Sequence, residues 1–133
     1  MKLLKEGDRR YVLTSSSKVY NYLKEFEDED REYFIVIGLD TANKPVYREI
    51  VSVGTLNSSL IHPREVFKQA IMMSVNSIII AHNHPSGDCS PSKEDKEVTK
   101  LLTKGGELLQ IKVLDHIIIG KNQHYSFLTE GLL

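Results

Sequence analysis

Two histidines one residue apart, His82 and His84, head the segment His82-Asn83-His84-Pro85-Ser86-Gly87, and Ser92 and Asp95 follow at fixed distance. The apolar run Ser77 to Ala81 ahead of them reads as a buried strand. Side chains alternate faces along a strand, so His82 and His84 project to the same side. Neutral imidazole is the commonest metal ligand, and two on one face reach a single ion at about 2.0–2.1 Å each. Asp95, eleven residues beyond His84, is placed to add a hard oxygen from the next element, with Asp88 and Glu94 also in reach. Two nitrogens and one carboxylate leave a fourth tetrahedral position to water, the pattern of a catalytic zinc rather than a structural one. Ser92-x-x-Asp95 ahead of an apolar-periodic segment also has the form of a helix capping box, which explains the spacing without a metal. The two roles are compatible, and spacing alone leaves Asp95 open between them.

The elements that must position these residues follow from periodicity. Ser15-Ser16-Ser17 offers helix caps, and Val19, Tyr22, Leu23 and Phe26 then recur on one helical face. The acidic run Glu25 to Asp30 is unfavourable at a helix C-terminus and is expected to fray into a solvated turn. Tyr33 to Leu39 reads as a strand, Asp40 to Pro45 as a turn, and Val46 to Leu56 as an antiparallel partner. Pro63 suits a first helical residue, with Val66, Phe67, Ala70 and Ile71 as the buried stripe behind it. A third helix is predicted from Ser92 to Lys104, ended by Gly105-Gly106, before closing strands over Leu108–Ile119 and Tyr125–Leu128. The order of elements describes an α/β (α+β) fold, a mixed sheet sandwiched by about three helices.

Bulk properties narrow the class. A chain of 133 residues makes one domain, 1–133, and is too short for a barrel of eight strand-helix units. Its 17 basic and 18 acidic residues give a net charge of −1, so nothing overall draws it to nucleic acid or an anionic membrane. A single cysteine, Cys89, excludes an internal disulfide. No run approaches the roughly 20 apolar residues of a membrane span, and the first residues lack a signal-peptide pattern, so a cytoplasmic protein is expected. Nothing in the sequence sets an oligomeric state.

His-x-His, seven residues, then Ser-x-x-Asp resembles the JAMM motif of the JAB/MPN metalloprotease superfamily. The context Gly54-Thr55-Leu56, His62-Pro63-Arg64-Glu65, Ala81 to Asp88, Pro91-Ser92 and Asp115-His116-Ile117-Ile118-Ile119-Gly120 is similar to the RadC branch, named as DNA repair proteins. The likeness covers about residues 10 to 133 and implies a cytidine-deaminase-like sandwich. It implies zinc (Zn2+) held by His82, His84 and Asp95 with one water, and it matches Ser92 to the motif serine. The motif's upstream glutamate, which acts on that water, matches Glu32 at the head of the strand Tyr33-Phe34-Ile35-Val36. Glu65 competes for the role, although a first-turn acid is expected simply to offset the helix dipole. The helix-hairpin-helix region that usually precedes the domain has no counterpart in this sequence, which counts against a DNA-binding role taken from the branch name.

What the resemblance implies is hydrolysis of a peptide or isopeptide bond, with Glu32 as general base then acid and Ser92 steadying the oxyanion. The alternative is a DNA-repair-associated binding or interaction module with a structural or vestigial metal. Of the other candidates, Cys89 reads as a loop spacer, Asp115 and His116 as a hydrogen-bonded structural pair, and His62 and His124 as surface residues.

Overall fold

Two seven-residue strands, Tyr33–Leu39 and Ser77–Asn83, are buried along their whole length, as β-branched and aromatic runs covered on both faces must be. They lie side by side at the centre of one six-stranded sheet. The computed structural model describes residues 3–57 and 59–133. Its elements are β1 (Leu4–Glu6), α1 (Ser16–Tyr22), a 3-10 helix (Lys24–Asp28), β2 (Tyr33–Leu39), β3 (Pro45–Val53), α2 (Pro63–Met72), β4 (Ser77–Asn83), α3 (Lys93–Leu109), β5 (Lys112–Gly120) and β6 (Gln123–Ser126). The sheet order is β1-β3-β2-β4-β5-β6. Among the described strands, β4 and β5 alone run parallel, because α3 carries the chain back across the sheet between them.

Two apolar clusters flank the sheet. Phe34, Val36, Ile78, Ile80 and Val113 pack with α2 and α3 residues such as Val66, Phe67, Val98 and Leu102. Ile35, Ile37, Ile79, Ala81, Ile117 and Ile119 pack on the other face with Val19, Leu23 and Phe26. The alternation along β4 therefore aims Ile78, Ile80 and then His82 toward α3. An α/β sandwich is what the periodicities predict, and it is what the chain forms.

Two local expectations are corrected, and one strand is added that the sequence reading does not contain. Gly105-Gly106 does not end the third helix, which runs on to Leu109 and stops at Gln110 with φ of 57°. A Cβ on Gly106 would stand 2.4 Å from the Ile111 carbonyl oxygen, and one on Gly105 would stand 3.2 Å from the Phe67 ring. The glycine pair therefore serves close packing of α3 against α2 and the following turn, and β5 starts correspondingly late, at Lys112. The run Glu25 to Asp30 does not simply fray, since Lys24–Asp28 forms a 3-10 helix with Phe26 buried and Glu27 bonded to Tyr20 Oη. Finally, β1 pairs with β3 through three exposed residues that carry no apolar alternation. No helix among the described residues is long and apolar enough to cross a membrane.

Candidate metal centre

β4 ends at Asn83, placing His82 on the last pleat facing α3 and His84 one residue beyond. His84 stays in register because its N–H bonds to the Ile119 carbonyl of β5 at 2.9 Å. The chain then turns sharply, with the Gly87 N–H on the His84 carbonyl at 2.9 Å and Gly87 at φ of 89°. Such a φ favours glycine, so the Pro-Ser-Gly turn is a stereochemical need of the loop. The loop docks on the turn between β5 and β6 through the Gly87 carbonyl, which accepts from the Lys121 N–H and from Gln123 Nε2.

Ser92 caps α3, its hydroxyl accepting the Asp95 N–H at 3.1 Å while Asp95 Oδ2 accepts the Ser92 N–H at 2.7 Å. The capping box is thus present, and the same carboxylate also faces both histidines. Asp95 Oδ1 lies 2.8 Å from His82 Nε2, and Oδ2 lies 3.2 Å from His84 Nε2. The two Nε2 atoms stand 3.0 Å apart. Both side chains of the His82–Asp95 pair are almost wholly buried, while that of His84 is 15% exposed. Asp88 turns its carboxylate to Ser90 and offers the site only its carbonyl, and Glu94 stays exposed at the rim.

The donor set fits a cation. His84 Nδ1 lies 2.8 Å from the Asp88 carbonyl, which can only accept, so the ring proton is on Nδ1 and Nε2 offers a lone pair. Ligand atoms around a tetrahedral ion at about 2.0–2.1 Å stand roughly 3.3 Å apart, close to the spacings here. Burial alone would raise the Asp95 pKa, but the bonds to His82 and His84 and that from the Ser92 N–H hold its carboxyl well below the usual range. Burial pulls the His84 pKa down, and the Asp95 carboxylate with the Asp88 carbonyl outweighs it, so the net shift is upward. His82, His84 and Asp95 are together a group that could hold a metal ion.

Glu32 lies just before β2 and lines a cleft of roughly 680 Å³ together with His84, Ser92 and Asp95. Its Oε2 accepts the Leu56 N–H at 2.8 Å, and its carbonyl accepts the Gly54 N–H at 2.8 Å. Asn83, the middle residue of His-x-His, brackets Glu32 from both sides. Asn83 Oδ1 accepts the Tyr33 N–H at 2.7 Å, and Nδ2 donates to the Arg31 carbonyl at 2.8 Å. Glu65 is exposed in the first turn of α2, outside the residues lining that cleft, and its charge acts on Glu49 of β3.

Four residues outside the cluster gain definition from the structure. Cys89 is half-buried in the loop, and burial raises its thiol pKa. The Asp115 and His116 side chains do not pair with each other. The Asp115 carboxylate accepts the His116 N–H, the Leu128 N–H and the Ser126 hydroxyl, while the His116 ring turns to His82 and Thr99. His124 is packed rather than free, stacked on Tyr20 with ring centroids 5.1 Å apart. The contact of His116 with His82 was hidden in the sequence because it depends on the register of β5 against β4, with a bulge between Ile78 and Ile79. Thr99 carried a signal: it stands four residues after Asp95, on the same helical face.

A mixed sheet that sets a His-x-His strand end against the acidic first turn of a helix defines an α/β domain with a candidate metal site. The RadC-like JAB domain model matches residues 13–132, and the chain belongs to that family. A UPF0758 protein of Chlorobaculum tepidum is 51% identical over 116 residues, covering 86% of this chain and 52% of its own length. A UPF0758 protein of Geotalea uraniireducens is 48% identical over 132 residues, covering 96% and 58%, respectively. One from Methanosarcina mazei is 48% identical over 122 residues, covering 91% and 53%. The chain therefore spans a little over half the length of the curated relatives it matches.

Proposed function

We propose that this chain is a zinc-dependent hydrolase of amide bonds, acting on a peptide or isopeptide link in a protein substrate. The observation that carries the reading is that one open cleft is lined at once by metal-ligand candidates, a carboxylate and a hydroxyl: His84, Asp95, Glu32 and Ser92. Two imidazoles and one carboxylate suit zinc with a position left open, and zinc bound there supplies water acidified toward a pKa of about 7.

His82, His84 and Asp95 are the residues that hold it. Glu32, anchored at Oε2 by the Leu56 N–H, takes a proton from the attacking water and returns it to the leaving amine nitrogen. Ser92 accepts from the Asp95 N–H, so its hydroxyl proton remains to donate to the carbonyl oxygen as that oxygen becomes negative. Asn83 keeps the backbone on both sides of Glu32 tied to the strand that carries the histidines.

The test is cleavage of peptide and isopeptide-linked libraries by the zinc-loaded protein, with metal content measured in parallel. Glu32→Gln is expected to keep zinc and lose at least about 100-fold in turnover, the lower range for a general base. His84→Ala is expected to lose the metal. Undiminished turnover in a Glu32→Gln protein would overturn the base assignment, and no chelator-sensitive cleavage by the wild type would overturn the hydrolase reading.

A further inference from the structure

His82 reaches the metal position only through Nε2, so the proton of its ring must sit on Nδ1. That atom lies 2.9 Å from His116 Nε2 in the interior, with both rings buried. His116 Nδ1 in turn lies 2.6 Å from Thr99 Oγ1, and Thr99 Oγ1 lies 2.8 Å from the Asp95 carbonyl oxygen. The four contacts close a ring, because Asp95 Oδ1 faces His82 Nε2 at 2.8 Å.

Counting protons gives this ring a direction. The Asp95 carbonyl can only accept, so the Thr99 hydroxyl must give it its single proton. Thr99 Oγ1 then has only lone pairs to offer His116, which places the His116 proton on Nδ1. A neutral His116 is left with a bare Nε2, which accepts from His82 Nδ1–H. The reverse direction would put the Thr99 oxygen and the Asp95 carbonyl in contact with no proton between them. It would also move the His82 proton to Nε2, where it blocks the metal. Packing holds the relay in place. Phe127 stacks on the His116 ring with centroids 4.5 Å apart and planes inclined by 11°.

We propose that Thr99 and His116 form a positioning relay that fixes the His82 proton on Nδ1 and so presents a bare Nε2 to the metal. Neither residue touches the metal or substrate. The relay starts from the backbone of one ligand, Asp95, and ends on the ring of another, His82, so α3, β5 and β4 set the ligand geometry jointly. The inference rests on the metal-site reading for its purpose, while the Thr99 and His116 proton assignments stand in the metal-free protein, where a second proton on His82 Nε2, bonded to Asp95 Oδ1, takes the place that a metal ion would fill.

Long-range proton–nitrogen NMR of the metal-free chain at neutral pH reads those assignments directly. His116 is expected to show a protonated Nδ1 and a bare Nε2, and Thr99→Val is expected to release it from that single tautomer. Zinc affinity, measured by chelator competition on folded protein, is expected to fall about 10- to 100-fold in Thr99→Val and to recover in Thr99→Ser. An Nε2-protonated His116 in the wild type overturns the proposal whether or not the variants fold. So does a Thr99→Val protein with unchanged tautomer and unchanged zinc affinity. Should the wild type bind no metal while His116 shows the expected tautomer, the relay stands and the hydrolase reading falls.

Discussion

Helices α2 and α3 begin alike and end up with different duties. Each carries an acidic residue three positions after its N-cap, Glu65 after His62 and Asp95 after Ser92. His62 makes no capping bond with its side chain, and Glu65 remains exposed. Ser92 and Asp95 cap each other, and Asp95 is 1% exposed. The reciprocal cap fixes the Asp95 carboxylate against the backbone and leaves its oxygens facing two imidazoles across the gap to β4. The first-turn carboxylate of α2 meets the helix dipole and the charge of Glu49, with no imidazole beside it among the described contacts. The chemistry comes from what the carboxylate is pinned to and what it meets, and the bare position along the helix does not supply it.

Asp95→Asn breaks the contrast most severely. It removes a charged ligand and is expected to weaken zinc binding by more than the roughly 100-fold upper range for outer-shell partners, read by chelator competition. In the metal-free protein the same change should alter acid unfolding. The Asp95 pKa is depressed in the folded state, so its stabilisation is present above the ordinary carboxylate pKa of about 4 and is lost as pH falls through the folded value. Acid titration followed by circular dichroism should show a shallower loss of stability in Asp95→Asn than in the wild type.

Ser92→Ala comes next. Loss of the cap is expected to cost about 1 kcal/mol in denaturant unfolding and to loosen the pin on Asp95, with a drop in zinc affinity of about tenfold. The converse change, His62→Ser, gives α2 the cap it lacks and is expected to raise stability by about 0.5–1 kcal/mol with no effect on metal binding. Smallest is Glu65→Gln, which removes a charge near a helix N-terminus together with its repulsion of Glu49. It should cost about 0.3 kcal/mol in thermal or denaturant unfolding and leave zinc affinity alone.

Why one of these helix starts was easier to recognise than the other is a matter of signal. Ser92-x-x-Asp95 could be read as a cap from local pattern, and the His-x-His pair could be read as convergent from strand alternation. The sandwich itself was legible because Tyr33 to Leu39 and Ser77 to Ala81 are apolar runs of strand length, and the structure makes them the cores of its two central strands. Asn83 was not legible, since its task is to hydrogen-bond the backbone around Glu32, fifty residues earlier in the chain. His116 was hidden for a similar reason: which side chain of β5 faces His82 depends on a bulge that no local pattern announces. Gly105-Gly106 misled because glycine has two common uses near a helix end, termination and close packing, and only the neighbouring helix decides between them.

Anomalous diffraction at the zinc edge from crystals grown with zinc tests the central claim most directly. The account predicts one strong peak at about 2.0–2.1 Å from His82 Nε2, His84 Nε2 and an Asp95 oxygen, absent from Asp95→Asn crystals grown the same way. A wild-type map with no peak between these three side chains, or with zinc bound only elsewhere, would contradict it.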